Sequence, residues 1–578
     1  MKISIAKTAG FCMGVRRAVE MVLDAPVKHH GPIYTYGPLI HNPQVLNLLA
    51  EKGITVLNDI PDEGAGTILI RAHGVPPQDK KKLTAAGFDV IDATCPRVIK
   101  VQTIIRKYAG KGYTTIIVGD KNHPEVVGLL GFAGGKGHVA GTWEDVQSLP
   151  VFDTAIVVAQ TTQNSHFFEK VKSWAGEKYP HYLIFNTICD STSKRQAEVK
   201  HLAESVDGVL VVGGFNSGNT KRLFEIAKKY CDRAYHIETE QDIDFAELPR
   251  LKEIGITAGA STPNWIINKI FRTLEASRFK KGRAWRKVFF TIRRTLLLTN
   301  IYVSLGAGFL CYACTKLQGI TNYLPHVIIS ILYVQSMHIL NHLTGSKADR
   351  YNDPERSQFY RNHKVLLSLL AFIAGAAGLL TAYSIGPLPF IILLVMSILG
   401  LSYNIRLMPK GLKKVKYERI RDIPSSKTIL IAMAWGIVSA LFPQLSDDNR
   451  FTPASLFIFI WSVGVVFVRT AFFDILDMQG DRIVGRETIP LIIGEKKTRI
   501  ILKSIIGFLL LLLLVLSYTH MITGLGYMLM LCHVYLFFVI LFFERGKAIP
   551  GTTLEFLIES QFILAGLLTF VWAVITGQ

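Results

Sequence analysis

The sequence predicts a three-lobed (pseudo-threefold) α/β soluble domain fused to an all-α polytopic membrane domain of about nine transmembrane helices. Three observations predict it. From residue 1 to about 276, short β-rich runs alternate with amphipathic helical patterns. Three cysteines recur in that half in matching strand-to-helix settings. After Leu296, apolar runs near the roughly 20 residues needed to cross a bilayer follow one another to the end. The expected organisation is a soluble domain over 1–276, a basic juxtamembrane linker over 277–295 and a membrane domain over 296–578.

Bulk composition agrees with a divided chain. A length of 578 residues exceeds what one core holds, and a mean hydropathy of +0.31 with 49% hydrophobic residues is high for a soluble protein. The net charge of +20 raises the question of nucleic acid. Its Lys and Arg residues concentrate in the linker and between apolar runs, with no aromatic-interleaved basic groove, so the expectation is no nucleic acid. Seven cysteines, odd in number and widely scattered, do not form the framework of a small secreted domain and point to a reducing cytosolic setting for the first half. The N-terminal Met-Lys-Ile-Ser-Ile-Ala-Lys has no apolar core of signal-peptide length.

In the soluble half the clearest strands are Ile33–Tyr36, Thr67–Ile70, Thr114–Val118, Ala155–Val158 and Gly208–Val212, with helical patterns such as Val15–Leu23 and Pro43–Lys52 between them. Cys12, Cys95 and Cys189 each follow a strand-like run and precede a helical one. Such spacing is unlike the local Cys-x-x-Cys of a zinc site. It suits one thiolate from each of three similar units around an iron–sulfur cluster with one iron left open, although spacing taken alone favours buried structural cysteines. His41, His73 and His123 each end a strand-like run before a turn signal, which as a set suggests an anion site. Glu125 beside His123 offers a carboxyl for proton transfer. Gly213-Gly-Phe-Asn-Ser217-Gly-Asn219-Thr and Ala258-Gly-Ala-Ser261 have the glycines, hydroxyls and amide of a phosphate cradle, without a P-loop lysine or a dinucleotide fingerprint.

With Gln160-Thr161-Thr162-Gln163 and Asn216-Ser-Gly-Asn219 added, this set resembles, in order, that of the LytB-type 4-hydroxy-3-methylbut-2-enyl diphosphate reductases, over Met1 to about Ile270. The resemblance implies a [4Fe–4S] cluster on Cys12, Cys95 and Cys189 whose fourth iron takes the substrate hydroxyl. It implies a diphosphate held by His41, His73, His123, Ser217, Asn219 and Ser261, with Glu125, Thr161 and His123 in proton delivery. It also implies reduction by an external ferredoxin- or flavodoxin-like donor, giving isopentenyl and dimethylallyl diphosphate. Gly218 stands where some members carry a second Ser.

The basic linker Ser277–Arg294 opens the second half. Nine apolar segments follow, from Leu296–Tyr312 and Leu324–Leu340 to Phe556–Val574, with the shortest at Leu388–Ser402 and Ile429–Phe442. Basic residues gather in the linker and after the second, fourth and sixth segments, which by the positive-inside tendency places those loops and the soluble half in the cytoplasm, beside anionic membrane lipids. Asp474, Asp477 and Asp481 lie on consecutive turns at the cytoplasmic end of a span, where carboxylates fit Mg²⁺ bridging to a diphosphate. With Arg482 and Gly485-Arg-Glu-Thr-Ile-Pro they resemble the second Asp motif of UbiA-type intramembrane prenyltransferases; Tyr403 and Pro424 to Trp435 also look like that family. The first motif departs from it. Asn341 and Asp349 match, but Gly345 holds the middle Asp position, and Asp353 is the candidate replacement. The reading is an Mg²⁺-dependent prenyl transfer to an unidentified acceptor, and its rival a catalytically silent membrane anchor or lipid-binding module. Cys311 and Cys314 read as packing residues.

Overall fold

The computed structural model describes residues 2–244, 251–280, 284–344, 349, 351–403, 420, 423–447, 451–484, 486–545 and 551–577. The expectations that fall on Gly345, on the basic run from Arg406 to Arg419, and on residues 281–283 of the linker lie outside them. The chain divides into two compact units, Met1–Lys281 and Gly282–Gln578.

The first unit has twelve strands: β1 (Lys2–Ile5), β2 (Ile33–Tyr36), β3 (Ile54–Leu57), β4 (Thr67–Ile70), β5 (Asp89–Asp92), β6 (Thr114–Val118), β7 (Gly137–Ala140), β8 (Ala155–Ala159), β9 (Leu183–Phe185), β10 (Gly208–Val212), β11 (Ala234–Ile237) and β12 (Glu253–Ala258). They form three four-stranded sheets ordered β3-β2-β4-β5, β7-β6-β8-β9 and β11-β10-β12-β1. The same order occurs three times, and the first strand of the chain completes the third sheet. All pairings are parallel, for instance Ile33 opposite Thr67 and Val209 opposite Gly255. The carboxyl ends of the four strands in each sheet therefore share one edge, the side on which open α/β sheets bind ligands. The interior strands β4, β8 and β10 are buried at every position, and separate cores form around each sheet, such as Ile116, Val118, Ala155, Val157 and Phe168.

The second unit is helical. Seven of its helices are long and apolar enough to cross a membrane, or eight if the pair Val288–Leu298 and Ile301–Leu317, bent by 73°, is one span. The expected count of about nine is therefore one or two high among the described residues. The difference falls on Pro387–Ser402, whose 16 residues reach only about 24 Å at the α-helical rise. The bend has a local cause: Asn300 is left-handed (φ 60°), and its side chain donates to the Tyr360 hydroxyl at 2.6 Å. Before the bend, Trp285, Val288, Phe289 and Ile292 are exposed at i, i+3, i+4 and i+7 of the helix Ala284–Leu298. That apolar stripe suits a helix lying in the membrane interface. Cys311 and Cys314 are buried in the bundle core.

Candidate functional site

The site of the first unit is built on the threefold repeat. His41, His123 and Ser217 follow β2, β6 and β10; His73, Thr161 and Ser261 follow β4, β8 and β12; Cys95, Cys189 and Cys12 follow the edge strands β5, β9 and β1. Each sheet thus delivers three residues from corresponding strand ends. The backbone repeats as well: Cys95 N–H donates to the Ala72 carbonyl (2.9 Å), Cys189 N–H to that of Thr161 (2.9 Å) and Cys12 N–H to that of Ala260 (3.2 Å). Each cysteine is thereby tied to a loop carrying a candidate substrate-binding or proton-transfer residue.

Cys12, Cys95 and Cys189 are the N-caps of the helices Met13–Lys28, Pro96–Ala109 and Asp190–Ser205, and all three are free thiols, partly buried. Three helix N-termini favour negative charge at that point. Burial pushes the Cys95 thiol up, the backbone N–H groups of Arg97 and Val98 oppose this, and the neighbouring Cys12 and Cys189 add to the rise. A Cβ at Gly14 would overlap the Cys95 sulfur, so the helix beginning after Cys12 approaches it only with glycine there. Three converging thiols, with a glycine held open against one of them, fit a [4Fe–4S] cluster with one iron free of protein ligands.

The histidine rings lie 5.1 Å (His41 to His73), 5.3 Å (His73 to His123) and 6.1 Å (His41 to His123) apart. Burial lowers the values of all three, that of His123 to about 4. Their ring nitrogens come within 4.8 Å of one another, the spacing of a cation site as well. The tautomer of His123 favours the anion. The Glu125 N–H donates to Nδ1 (3.1 Å), which leaves Nε2 carrying the proton as a donor. Ser217 caps the helix Gly218–Tyr230, and its hydroxyl lies 3.4 Å from that of Ser261. The buried Asn219 Nδ2 and His73 Nδ1 have no hydrogen-bond partner, as donors and acceptors reserved for a ligand would.

Glu125 is fully buried, and Thr161 donates to it twice, backbone N–H to Oε1 (2.6 Å) and hydroxyl to Oε2 (2.8 Å). Burial pushes its carboxyl up to about 7 against those bonds, so it carries a transferable proton near neutrality. Sequence reading missed three charged groups here. Arg71 and Arg222 both act electrostatically on His123, and Asp120 takes both carboxylate bonds from Arg222.

These shifts set an acid sensitivity. The lowered histidines bind protons more readily when unfolded, so their contribution is present above pH 6.5 and lost as pH falls, for His123 through about 4. Glu125, raised from 4.5 to about 7, contributes in the opposite sense over that window. With three groups against one, the stability of the first unit should fall as pH drops from 6.5 toward 4, by up to about 1.4 kcal/mol per pH unit for each uncompensated group, and its thermal midpoint with it. Calorimetry of the full chain across that range checks it.

The chain is similar to known proteins in two separate regions. A 4-hydroxy-3-methylbut-2-enyl diphosphate reductase of Geobacter sulfurreducens is 44% identical over 286 residues, which are 49% of this chain and the whole of that protein. Residues 3–275 match the LytB protein family model. The chain belongs to the LytB family. A solved structure of (E)-4-hydroxy-3-methyl-but-2-enyl diphosphate reductase is 41% identical over 48% of this chain and 99% of its own, with a TM-score of 0.38. Past the LytB region, residues 300–550 match the UbiA prenyltransferase family. A UbiA homolog from Archaeoglobus fulgidus, solved with GPP and Mg²⁺, is 16% identical over 47% of this chain and 98% of its own, with a TM-score of 0.36.

In the UbiA region Asp474, Asp477 and Asp481 stand near the end of the helix Pro453–Ile483. Asp474 and Asp481 are fully buried, and each keeps one carboxylate oxygen without a hydrogen-bond partner. Thr428 donates to Asp474, whose Oδ1 is 4.0 Å from Lys427 Nζ; Asn352 donates to Asp481 (3.1 Å), and Arg486 lies 3.8 Å from it. Buried carboxylate oxygens that accept no hydrogen bond, Asp474 Oδ1 facing only the Lys427 charge, fit a divalent cation. Asp481, Lys427, Asp474 and Asp349 act electrostatically on Asp477, so Asp349 of the first motif lies near the second. Asp349 is itself held by His342 Nδ1 at 2.7 Å. Asp353 is placed otherwise: it caps the helix Pro354–Asn362, accepting from Arg356 N–H (3.1 Å), and Arg356 also pairs with Glu555. Asn341 is exposed at the end of Leu324–Thr344. His342 and Asn352 are the site residues that sequence reading missed, and a Cβ at Gly480 would displace Asn352.

Proposed function

We propose that the first unit reductively removes the hydroxyl of 4-hydroxy-3-methylbut-2-enyl diphosphate. Two electrons and two protons convert it to isopentenyl or dimethylallyl diphosphate and water. The observation that carries this reading is the ninefold set of strand-end residues, three thiols beside a neutral, donor-rich pocket with a protonatable buried carboxyl. When bound on Cys12, Cys95 and Cys189, a [4Fe–4S] cluster supplies an open Lewis-acidic iron and a path for electrons from an external carrier. The chain's own residues do the rest. Neutral His41, His73 and His123 with Ser217, Asn219 and Ser261 donate to the diphosphate, Glu125 holds the proton that leaves with water, and Thr161 fixes both carboxylate oxygens. Full-length chain, purified without oxygen and given this diphosphate with a one-electron donor, should form both five-carbon products; no product from cluster-loaded chain would refute the reading.

The second unit, in this reading, transfers a prenyl group from a prenyl diphosphate to a lipid-soluble acceptor, with Mg²⁺ on Asp474, Asp477 and Asp481 and with Lys427 and Arg486 near the same site. The orphaned oxygens of Asp474 and Asp481 support it. Asp474→Asn should then lower prenyl transfer by about 100-fold or more while leaving reductase turnover unchanged, measured on membranes with labelled prenyl diphosphate. One observation favours a silent anchor instead: Asp349 is taken up by His342, and Gly345 supplies no carboxylate. An identical product yield from both chains would favour that alternative. The apolar helices support a multi-pass unit, and the basic loops favour a cytoplasmic side for the reductase in this reading.

A further inference from the structure

The diphosphate cradle as read from the sequence contains only neutral donors, yet it must take a multiply charged group out of water. Burying such an anion without a counter-charge is costly. Two arginines act on the cradle's histidines without a role so far, Arg71, which is half-buried, and Arg222, which is buried. Arg222 lies one turn into the helix that Ser217 caps, and its side chain is 9% exposed. Its Nη2 donates to both carboxylate oxygens of Asp120 at 2.8 Å, and its Nη1 makes only a long bond, 3.4 Å, to the Thr162 hydroxyl. Asp120, by contrast, is 48% exposed.

Arg222 also borders a gap. A Cβ at Gly218 would stand 3.6 Å from Arg222 Nη1, 3.6 Å from the His123 ring and 3.7 Å from an Asp120 oxygen, all ordinary contact distances. The absence of a side chain at 218 therefore leaves room for a small group between the guanidinium and His123. His123 is one of the cradle's own donors, and the unpartnered amide of Asn219 is on the next residue. Asp120 and Thr162 belong to the β6 and β8 ends, whereas Arg222 belongs to the helix after β10, so the bonds that hold the guanidinium cross from one sheet's loops to another's.

We propose that Arg222 is a diphosphate-binding residue of this chain: it reaches a phosphate oxygen through the gap at Gly218, and Asp120 holds its guanidinium in place for that contact. The assignment rests on the reading of the first unit as a diphosphate site. Arg222 replaces the hydroxyl that a serine in place of Gly218 would offer, with a fixed charge instead of a neutral donor.

The test is titration of the full-length, cluster-loaded chain with inorganic pyrophosphate, alongside steady-state turnover. Arg222→Met should weaken pyrophosphate at least about 10-fold and raise KM more than it lowers kcat, the size expected for one charged hydrogen bond. Arg222→Lys should recover part of the loss. In a Gly218→Ser background, where a hydroxyl fills the gap, the same Arg222→Met change should cost at least about threefold less. Binding by Arg222→Met within about twofold of the unmodified chain, or equal losses in both backgrounds, would overturn the proposal. If Arg222→Met does not fold, Arg222→Lys decides in the two backgrounds: a loss that shrinks in the Gly218→Ser background upholds the proposal and an unchanged one overturns it. Failure of the unmodified chain to bind pyrophosphate would instead refute the diphosphate reading beneath it.

Discussion

Replacing Cys95 with Ser in the full-length chain should abolish reductase turnover and remove most bound iron and sulfide. Its sulfur sits at the start of a helix, against the glycine at 14 and beside the other two thiols, and its N–H is fixed to Ala72. A hydroxyl in that position is a poor ligand for iron, and no further cysteine is placed to replace it: Cys231 is buried at the end of the helix Gly218–Tyr230, against the core of its own sheet. Cys12→Ser and Cys189→Ser should behave alike, because the three positions are equivalent in the repeat. Iron and sulfide analysis with visible absorption checks this, and retention of near-full iron by any one variant would mean the thiols do not form one ligand set.

Glu125→Gln should lower kcat by about 100- to 10,000-fold with little change in KM for the diphosphate. Glutamine keeps the shape and can still accept from the Thr161 N–H, but it cannot hold a proton for the leaving hydroxyl. In the unmodified chain the rate should fall as pH rises through about 7, because the raised carboxyl loses its proton there. Two other charged groups act on it, Arg222 favouring the carboxylate and Asp120 the acid. A rate flat from pH 6 to 8 would remove Glu125 from proton delivery.

What was legible in the sequence follows burial. The five strands read from it are β2, β4, β6, β8 and β10, interior strands of their sheets whose apolar runs are nearly continuous. The edge strands β3 and β5 are partly exposed, and β5 carries an Asp at each end. The interior β12 escaped because Gly255 interrupts Ile254 and Ile256. The cysteines, histidines and Glu125 stood out because turn signals flank them. Arg222, Arg71 and Asp120 did not. An Arg one turn into a polar helix reads as a solvated surface residue, and only the packing of two sheets' loops around it makes it buried. In the membrane unit, His342 and Asn352 were hidden in the same way, since neither is a specified position of an Asp motif and each acquires its role by reaching a carboxylate, Asp349 or Asp481. The short helix Pro387–Ser402 was counted as a span because hydropathy registers composition and not length.

Three thiolates, one from each sheet, would hold a [4Fe–4S] cluster and leave one of its four irons without a protein ligand. Mössbauer spectroscopy of the full-length chain loaded with ⁵⁷Fe, before and after adding 4-hydroxy-3-methylbut-2-enyl diphosphate, tests it most directly. One iron subsite out of four should be distinct, with a signal that changes when the diphosphate is added. Four equivalent subsites that do not respond, or a chain that holds no cluster, would contradict it.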